Sequence, residues 1–166
     1  MPIAVPPANR FTILVVDDEE SLRTVLCRAL DRIGYTIIQA KNAVRALDLL
    51  QNGGASPHLI VSDVEMPHMS GIEMVSRIRS LDLSLCDVPV ILASGNSSKE
   101  MKSQALEVGA NLFLAKPFEL AELYAEVGGL LREVQQNIHR DVRRGHHPGA
   151  PHAHRLVARR RPPKTV

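Results

Sequence analysis

Five short apolar runs punctuate the chain: FTILVV (11–16), YTIIQA (35–40), LIVS (59–62), VPVILA (88–93) and NLFLA (111–115). Each is continuous rather than alternating, the pattern of a strand covered on both faces, and the segments between them are long enough for helices. Strands separated in this way pair in parallel through crossovers. The intervening segments carry helical periodicity. Leu22, Val25, Leu26, Ala29, Leu30 and Ile33 form one stripe that predicts a helix ending at Gly34. Ala43, Ala46, Leu47 and Leu50 repeat the pattern behind a cap at Asn42, and NGGASP then breaks the chain. Ile72, Val75 and Ile78 mark a third helix over 71–80. Ser97-Ser98-Lys99-Glu100 reads as a capping box opening a fourth, which Gly109 stops near Val108. Its apolar stripe is thin: Met101, Ala105 and Val108. Leu120, Leu123, Val127, Leu130, Leu131, Val134 and Ile138 predict a final helix from Glu119 to His139, with Gly128-Gly129 weakening its middle. The order is (βα)5. Right-handed crossovers then place helices on both faces of a doubly wound, five-stranded parallel sheet, an α/β fold.

In such a sheet the carboxyl ends of all strands share one rim, where ligands bind. The polar residues collect there. The first run ends in Asp17-Asp18, the third in Asp63, the fourth in Ser94 and the fifth in Lys116-Pro117. Carboxylates gathered so closely repel and raise one another's pKa unless a positive charge joins them. A divalent hard cation relieves this, and carboxylates with a backbone carbonyl and waters are how Mg2+ is usually held. Carboxylates around Mg2+, facing a lysine and a hydroxyl, suit a phosphoryl group, whose charge these groups neutralise. Asp63 is the candidate acceptor, since its strand is central and a sharp turn follows it.

Asp17-Asp18, Asp63-Val64-Glu65-Met66-Pro67 with Gly71, Ser94, and Lys116-Pro117-Phe118 together resemble the receiver domain of two-component response regulators, over about residues 11–136. The resemblance implies a CheY-like, flavodoxin-like sheet order of 2-1-3-4-5. It implies a signalling switch rather than an enzyme proper, which assists its own phosphorylation and dephosphorylation. Asp63 would accept a phosphoryl group from a histidine kinase or histidine phosphotransfer protein. Asp18, Asp63 and the backbone carbonyl of Glu65 would coordinate Mg2+, with Asp17 assisting through water. Ser94 would bond the phosphoryl oxygen, Lys116 would pair with it, and Phe113 would occupy the aromatic switch position. A partner, or a second copy in a homodimer, would read the surface of the fourth helix, fifth strand and fifth helix. The resemblance also implies a cis Lys116-Pro117 bond. Serine stands at 94 where threonine is commoner, and Phe113 lacks a tyrosine hydroxyl. Glu65 and Asn96 occupy the positions at which the family adjusts phosphoryl hydrolysis.

Composition divides the chain. At 166 residues it accommodates one domain with appendages, expected as an N-terminal extension (1–10), a receiver unit (11–138) and a tail (139–166). Aromatic residues make up 3 %, so the core falls to Val, Leu, Ile and Ala. Of the 20 basic and 18 acidic residues, eight and one lie from His139 onward, leaving a body of about −5 and a tail of about +7. The tail, rich in Arg, His, Pro and Gly, is expected to be disordered. His146, His147, His152 and His154 in that Pro-interrupted tract are read as holding no structural metal, and Arg159-Arg160-Arg161, without aromatic interleaving, as solvated rather than nucleic-acid binding. Cys27 and Cys86 have no metal-site spacing, which fits a reduced compartment. With no signal peptide in MPIAVPPANR and no membrane-length apolar run, a cytoplasmic, stand-alone receiver is expected. Two rivals remain: a Mg-dependent phosphatase of the haloacid-dehalogenase type, which places DxD after its first strand where this chain has DD, and a DNA-associated regulator acting through the tail.

Overall fold

The structure, a computed structural model, describes residues 11–81 and 84–143. Strands β1 (Thr12–Val16), β2 (Thr36–Ala40), β3 (Leu59–Asp63), β4 (Val90–Ser94) and β5 (Leu112–Ala115) alternate with helices α1 (Glu20–Arg32), α2 (Ala43–Gln51), α3 (Gly71–Arg79), α4 (Lys99–Glu107) and α5 (Leu120–Arg143). A 3-10 helix over Ser84–Asp87, absent from the sequence expectation, precedes β4. All pairings are parallel and the sheet order is β2-β1-β3-β4-β5, as expected.

The apolar runs are continuous because the sheet has two cores. Leu14, Val16, Ile60 and Leu92 pack with Leu47 and Leu50 of α2, Met74 and Ile78 of α3 and Ala105 of α4. Their neighbours in sequence, Ile13, Val15, Leu59, Val61, Ile91 and Ala93, pack with Leu26 and Leu30 of α1 and Leu123, Val127 and Leu131 of α5. Successive side chains on a strand point to opposite faces, so burying both faces makes every position apolar. The crossover helices therefore segregate, α1 and α5 on one face and α2, α3 and α4 on the other.

Helix boundaries follow local chemistry. Asn42 and Ser70 cap α2 and α3 by accepting from the Arg45 and Glu73 amides. Gly34 adopts φ +99 beyond α1, a left-handed stop that a side chain would oppose. Three expectations need correcting. Val25 lies on the α1 stripe but is 53 % exposed, since the sheet covers only part of that stripe. The cap of α4 is Ser98, which accepts from the Met101 amide; this puts Glu100 out of register for the box with Ser97. In the turn after β3 the left-handed residue is His68 (φ +69). Finally, α5 continues to Arg143, so residues 139–143 of the expected disordered tail are helical. Its Gly128-Gly129 pair is accommodated because helical residues flank it on both sides and Leu123, Val127 and Leu131 anchor that face. The extension 1–10, the tail beyond 143, its histidines and Arg159-Arg160-Arg161 lie outside the described residues. Among the described residues, no helix is long and apolar enough to cross a membrane.

Candidate functional site

The carboxyl rim of the sheet assembles the expected residues. Asp63 ends β3 and Ser94 ends β4, while Asp17 and Lys116 follow β1 and β5 by one residue. Backbone bonds hold these ends together: Asp17 N donates to Ala40 O (3.2 Å), Val64 N to Ala93 O (2.9 Å) and Lys116 N to Ser94 O (2.8 Å). Adjacent strand tips are thereby locked at the point where their side chains enter the site. The Lys116-Pro117 peptide is cis.

Asp17, Asp18 and Asp63 each offer an oxygen within 4.8 Å of the others. Asp17 and Asp63 are buried and Asp18 is exposed. Lys116 Nζ lies 3.0 Å from Asp63 Oδ1 and 3.6 Å from Asp17 Oδ2. One ammonium thus faces several carboxylates, and the imbalance appears in their protonation. Burial, with Asp17 and Glu65 adding to it, pushes Asp63 up to about 6 against the pull of Lys116. Burial likewise raises Asp17, although its Oδ1 accepts from the Glu19 amide at 2.9 Å. Burial opposes the charge on Lys116, but its bond to Asp63 prevails and holds its pKa above the usual value. A cluster of oxygen donors with this surplus of negative charge fits a hard divalent cation, so Asp17, Asp18 and Asp63 could hold a metal.

The loop after β3 is shaped by a close approach. A Cβ on Gly71 would meet the Asp63 carbonyl oxygen at 2.2 Å. The Gly71 amide donates to Val64 O at 2.9 Å and Met69 N to Pro67 O at 2.8 Å, folding the loop back against the strand tip. Buried Ser62 donates to the same Asp63 carbonyl at 2.9 Å. Gly71 is present because only glycine fits there, a reason the sequence pattern did not reveal.

Ser94 is fully buried and does not bond Asp63. Its hydroxyl donates in a short bond to Glu65 Oε1 and accepts from the Asn96 amide at 2.9 Å. The Asn96 amide also reaches Glu65 Oε1 at 3.3 Å. Burial works against the Glu65 charge, but these bonds outweigh it and hold the carboxyl below its ordinary value. The sequence resemblance gave Glu65 a backbone role at the metal and a place where phosphoryl hydrolysis is adjusted; the bond of its side chain to Ser94 was not foreseen. Phe113 is partly buried against the core on the α2–α3–α4 face.

A second network went unread. Arg79 donates to Cys86 O (2.8 Å), Val88 O (2.7 Å), Gly109 O (3.1 and 2.8 Å) and Asn111 Oδ1 (3.1 Å). It ties the end of α3 to the entry of β4 and to the α4–β5 turn, below the site. A lone arginine at a helix end carries no sequence signal for this role.

Comparison with known proteins agrees with this geometry. The profile of the response regulator receiver domain family matches residues 13–128. The phosphate regulon transcriptional regulatory protein PhoB of Pseudomonas aeruginosa is 36 % identical over 123 residues, 74 % of this chain and 52 % of that protein. Response regulator MprA of a Mycobacterium species is 38 % identical over 122 residues, 74 % and 51 %. The chain spans about half the length of these curated relatives. Among solved structures, the receiver domain of Francisella response regulator 1452 superposes with a TM-score of 0.68 at 27 % identity, covering 75 % of this chain and 98 % of that one. The Vibrio cholerae chemotaxis protein CheY4 gives 0.66 at 30 % identity, covering 72 % and 98 %. Fold, rim chemistry and sequence converge, and the chain belongs to the response regulator receiver domain family of two-component systems.

Proposed function

We propose that Asp63 is the phosphoacceptor of a signalling switch, charged by a histidine kinase or a histidine phosphotransfer protein. The observation that carries this reading is the 3.0 Å approach of Lys116 Nζ to Asp63 Oδ1 beside two further carboxylates. In the reaction an Asp63 carboxylate oxygen forms a bond to phosphorus as the donor's phosphorus–nitrogen bond breaks, leaving an acyl phosphate and a neutral histidine. Asp17, Asp18, Asp63 and the Glu65 backbone carbonyl would hold Mg2+, which supplies positive charge opposite the transferring group. Lys116 adds a mobile point charge, and Ser94 is the hydroxyl donor available to a phosphoryl oxygen.

The added charge of about −2 draws Ser94 and Lys116 inward and biases Phe113, reshaping the α4-β5-α5 surface for an output partner or a second copy. The packing of α4 supports its mobility, since Ala105 is its one buried residue. The test is incubation with acetyl phosphate and Mg2+, followed by intact mass measurement. The protein should gain one phosphoryl group and Asp63→Asn none; equal labelling of both refutes the assignment.

A further inference from the structure

We propose that the Glu65 side chain is a latch: it holds the Ser94 hydroxyl in the unphosphorylated protein and must release it before Ser94 can serve a phosphoryl group on Asp63. The inference rests on the reading of Asp63 as acceptor and adds to it a residue that sets the cost of switching.

A serine hydroxyl has a single proton to donate. Ser94 is 0 % exposed, so that proton must be placed within the protein. Two acceptors lie in reach, Glu65 Oε1 in a short bond and Asn96 O at 3.0 Å. The carboxylate is both closer and charged, and it accepts the hydrogen bond. The Asn96 amide, at 2.9 Å from Ser94 Oγ and 3.3 Å from Glu65 Oε1, closes a ring of carboxylate, hydroxyl and amide. This ring joins the loop after β3 to the loop after β4. Donation to Glu65 and donation to a phosphoryl oxygen are therefore mutually exclusive.

The same geometry supplies the release. Glu65 stands two residues after Asp63 in the same loop, with its carboxylate turned to Ser94 at the neighbouring strand tip, so a phosphoryl group on Asp63 brings further negative charge toward it. Glu65 is exposed at the protein surface, which leaves its side chain a path outward into water. Phosphorylation thus expels the acceptor and frees the donor in one step. Glu65 is a positioning residue acting through Ser94.

Beryllofluoride with Mg2+, a phosphoryl mimic, provides the test, with uptake followed by fluorine NMR. Glu65→Gln and Glu65→Ala remove the same charge, but only Gln retains an acceptor for Ser94. Their comparison isolates the hydrogen bond from electrostatic repulsion. Glu65→Ala should bind beryllofluoride about threefold to tenfold more tightly than Glu65→Gln, as expected for one released hydrogen bond. With Ser94→Ala added to both, the ratio should shrink to less than about twofold. A ratio that is unchanged by Ser94→Ala, or absent in both backgrounds, overturns the latch while leaving the acceptor reading intact. Failure of the folded parent protein to take up beryllofluoride overturns the acceptor reading and the latch with it.

Discussion

Gly71→Ala is the sharpest probe of how the site is built. The new methyl carbon would lie 2.2 Å from the Asp63 carbonyl oxygen, whereas real Cβ atoms essentially never come closer than 3.0 Å, so the two must separate by at least 0.8 Å. The obstacle is backbone and cannot rotate away. Val64, next in sequence, is held on both sides, by Ala93 O through its amide and by the Gly71 amide through its carbonyl, each at 2.9 Å. Separation therefore strains the Gly71–Val64 bond and the Ser62 Oγ bond to Asp63 O. Two hydrogen bonds at about 1 kcal/mol each, with overpacking of about 1–3 kcal/mol, give an expected loss of about 3–5 kcal/mol. Urea unfolding monitored by circular dichroism reads this as a midpoint lower by roughly 2 M. Gly95→Ala is the control, because a Cβ there meets nothing within 4 Å; its change should stay within about 0.5 kcal/mol. A folded Gly71→Ala protein within about 1 kcal/mol of the parent would refute the claim that this contact demands glycine.

Two further outcomes test the electrostatics and the scaffold. Burial pushes Asp63 up to about 6, above the ordinary aspartate value of 3.8. Above pH 6 the folded protein bears the cost of an ionised buried carboxylate that the unfolded chain escapes. As pH falls from 6 toward 3.8 the folded state takes the proton first and the cost disappears. Without divalent cations, Asp63→Asn should be more stable than the parent at pH 8 by about 1–3 kcal/mol, with the gap closing by about pH 4. Denaturation at several pH values checks this, and a gap constant with pH contradicts the assignment. Arg79→Met keeps the aliphatic stem but leaves the carbonyls of Cys86, Val88 and Gly109 without their donor. It should cost about 2–4 kcal/mol and speed amide exchange near 84–90 and 109–112; a loss below about 0.5 kcal/mol would show the network to be dispensable.

The five strands were legible because burial on both faces leaves no room for a polar residue, and their ends were legible because polarity returns there abruptly. Asp17, Asp63, Ser94 and Lys116 stood out for this reason, and the rim brings them together. The separate roles of His68 and Gly71 were not legible, since a composition of Pro, His and Gly cannot say which residue turns and which one yields space. The Glu65–Ser94 bond and the Arg79 network were missed for a common reason. Glu65 reaches Ser94 across 29 residues, and Arg79 reaches Gly109 across 30 as well as the nearer carbonyls of Cys86 and Val88, and no local period encodes such contacts. The boundaries of α4 and α5 shifted because a helix end depends on which serine aligns with an orphan amide, or on how far a helix can run past its core, as much as on the residues themselves.

The sequence by itself determined the alternation of strands and helices, the parallel α/β class and the acidic, hydroxyl and amine side chains at the strand tips. Periodicity and local propensity act between near neighbours, and a chain carries that information in one dimension. Only the tertiary structure decided that Ser94 rests on Glu65 rather than at Asp63, that a single ammonium must serve several carboxylates, and that Gly71 lies against a carbonyl. These depend on distances between distant segments, where the cost of crowded charge and overlapping atoms is set by tenths of an ångström.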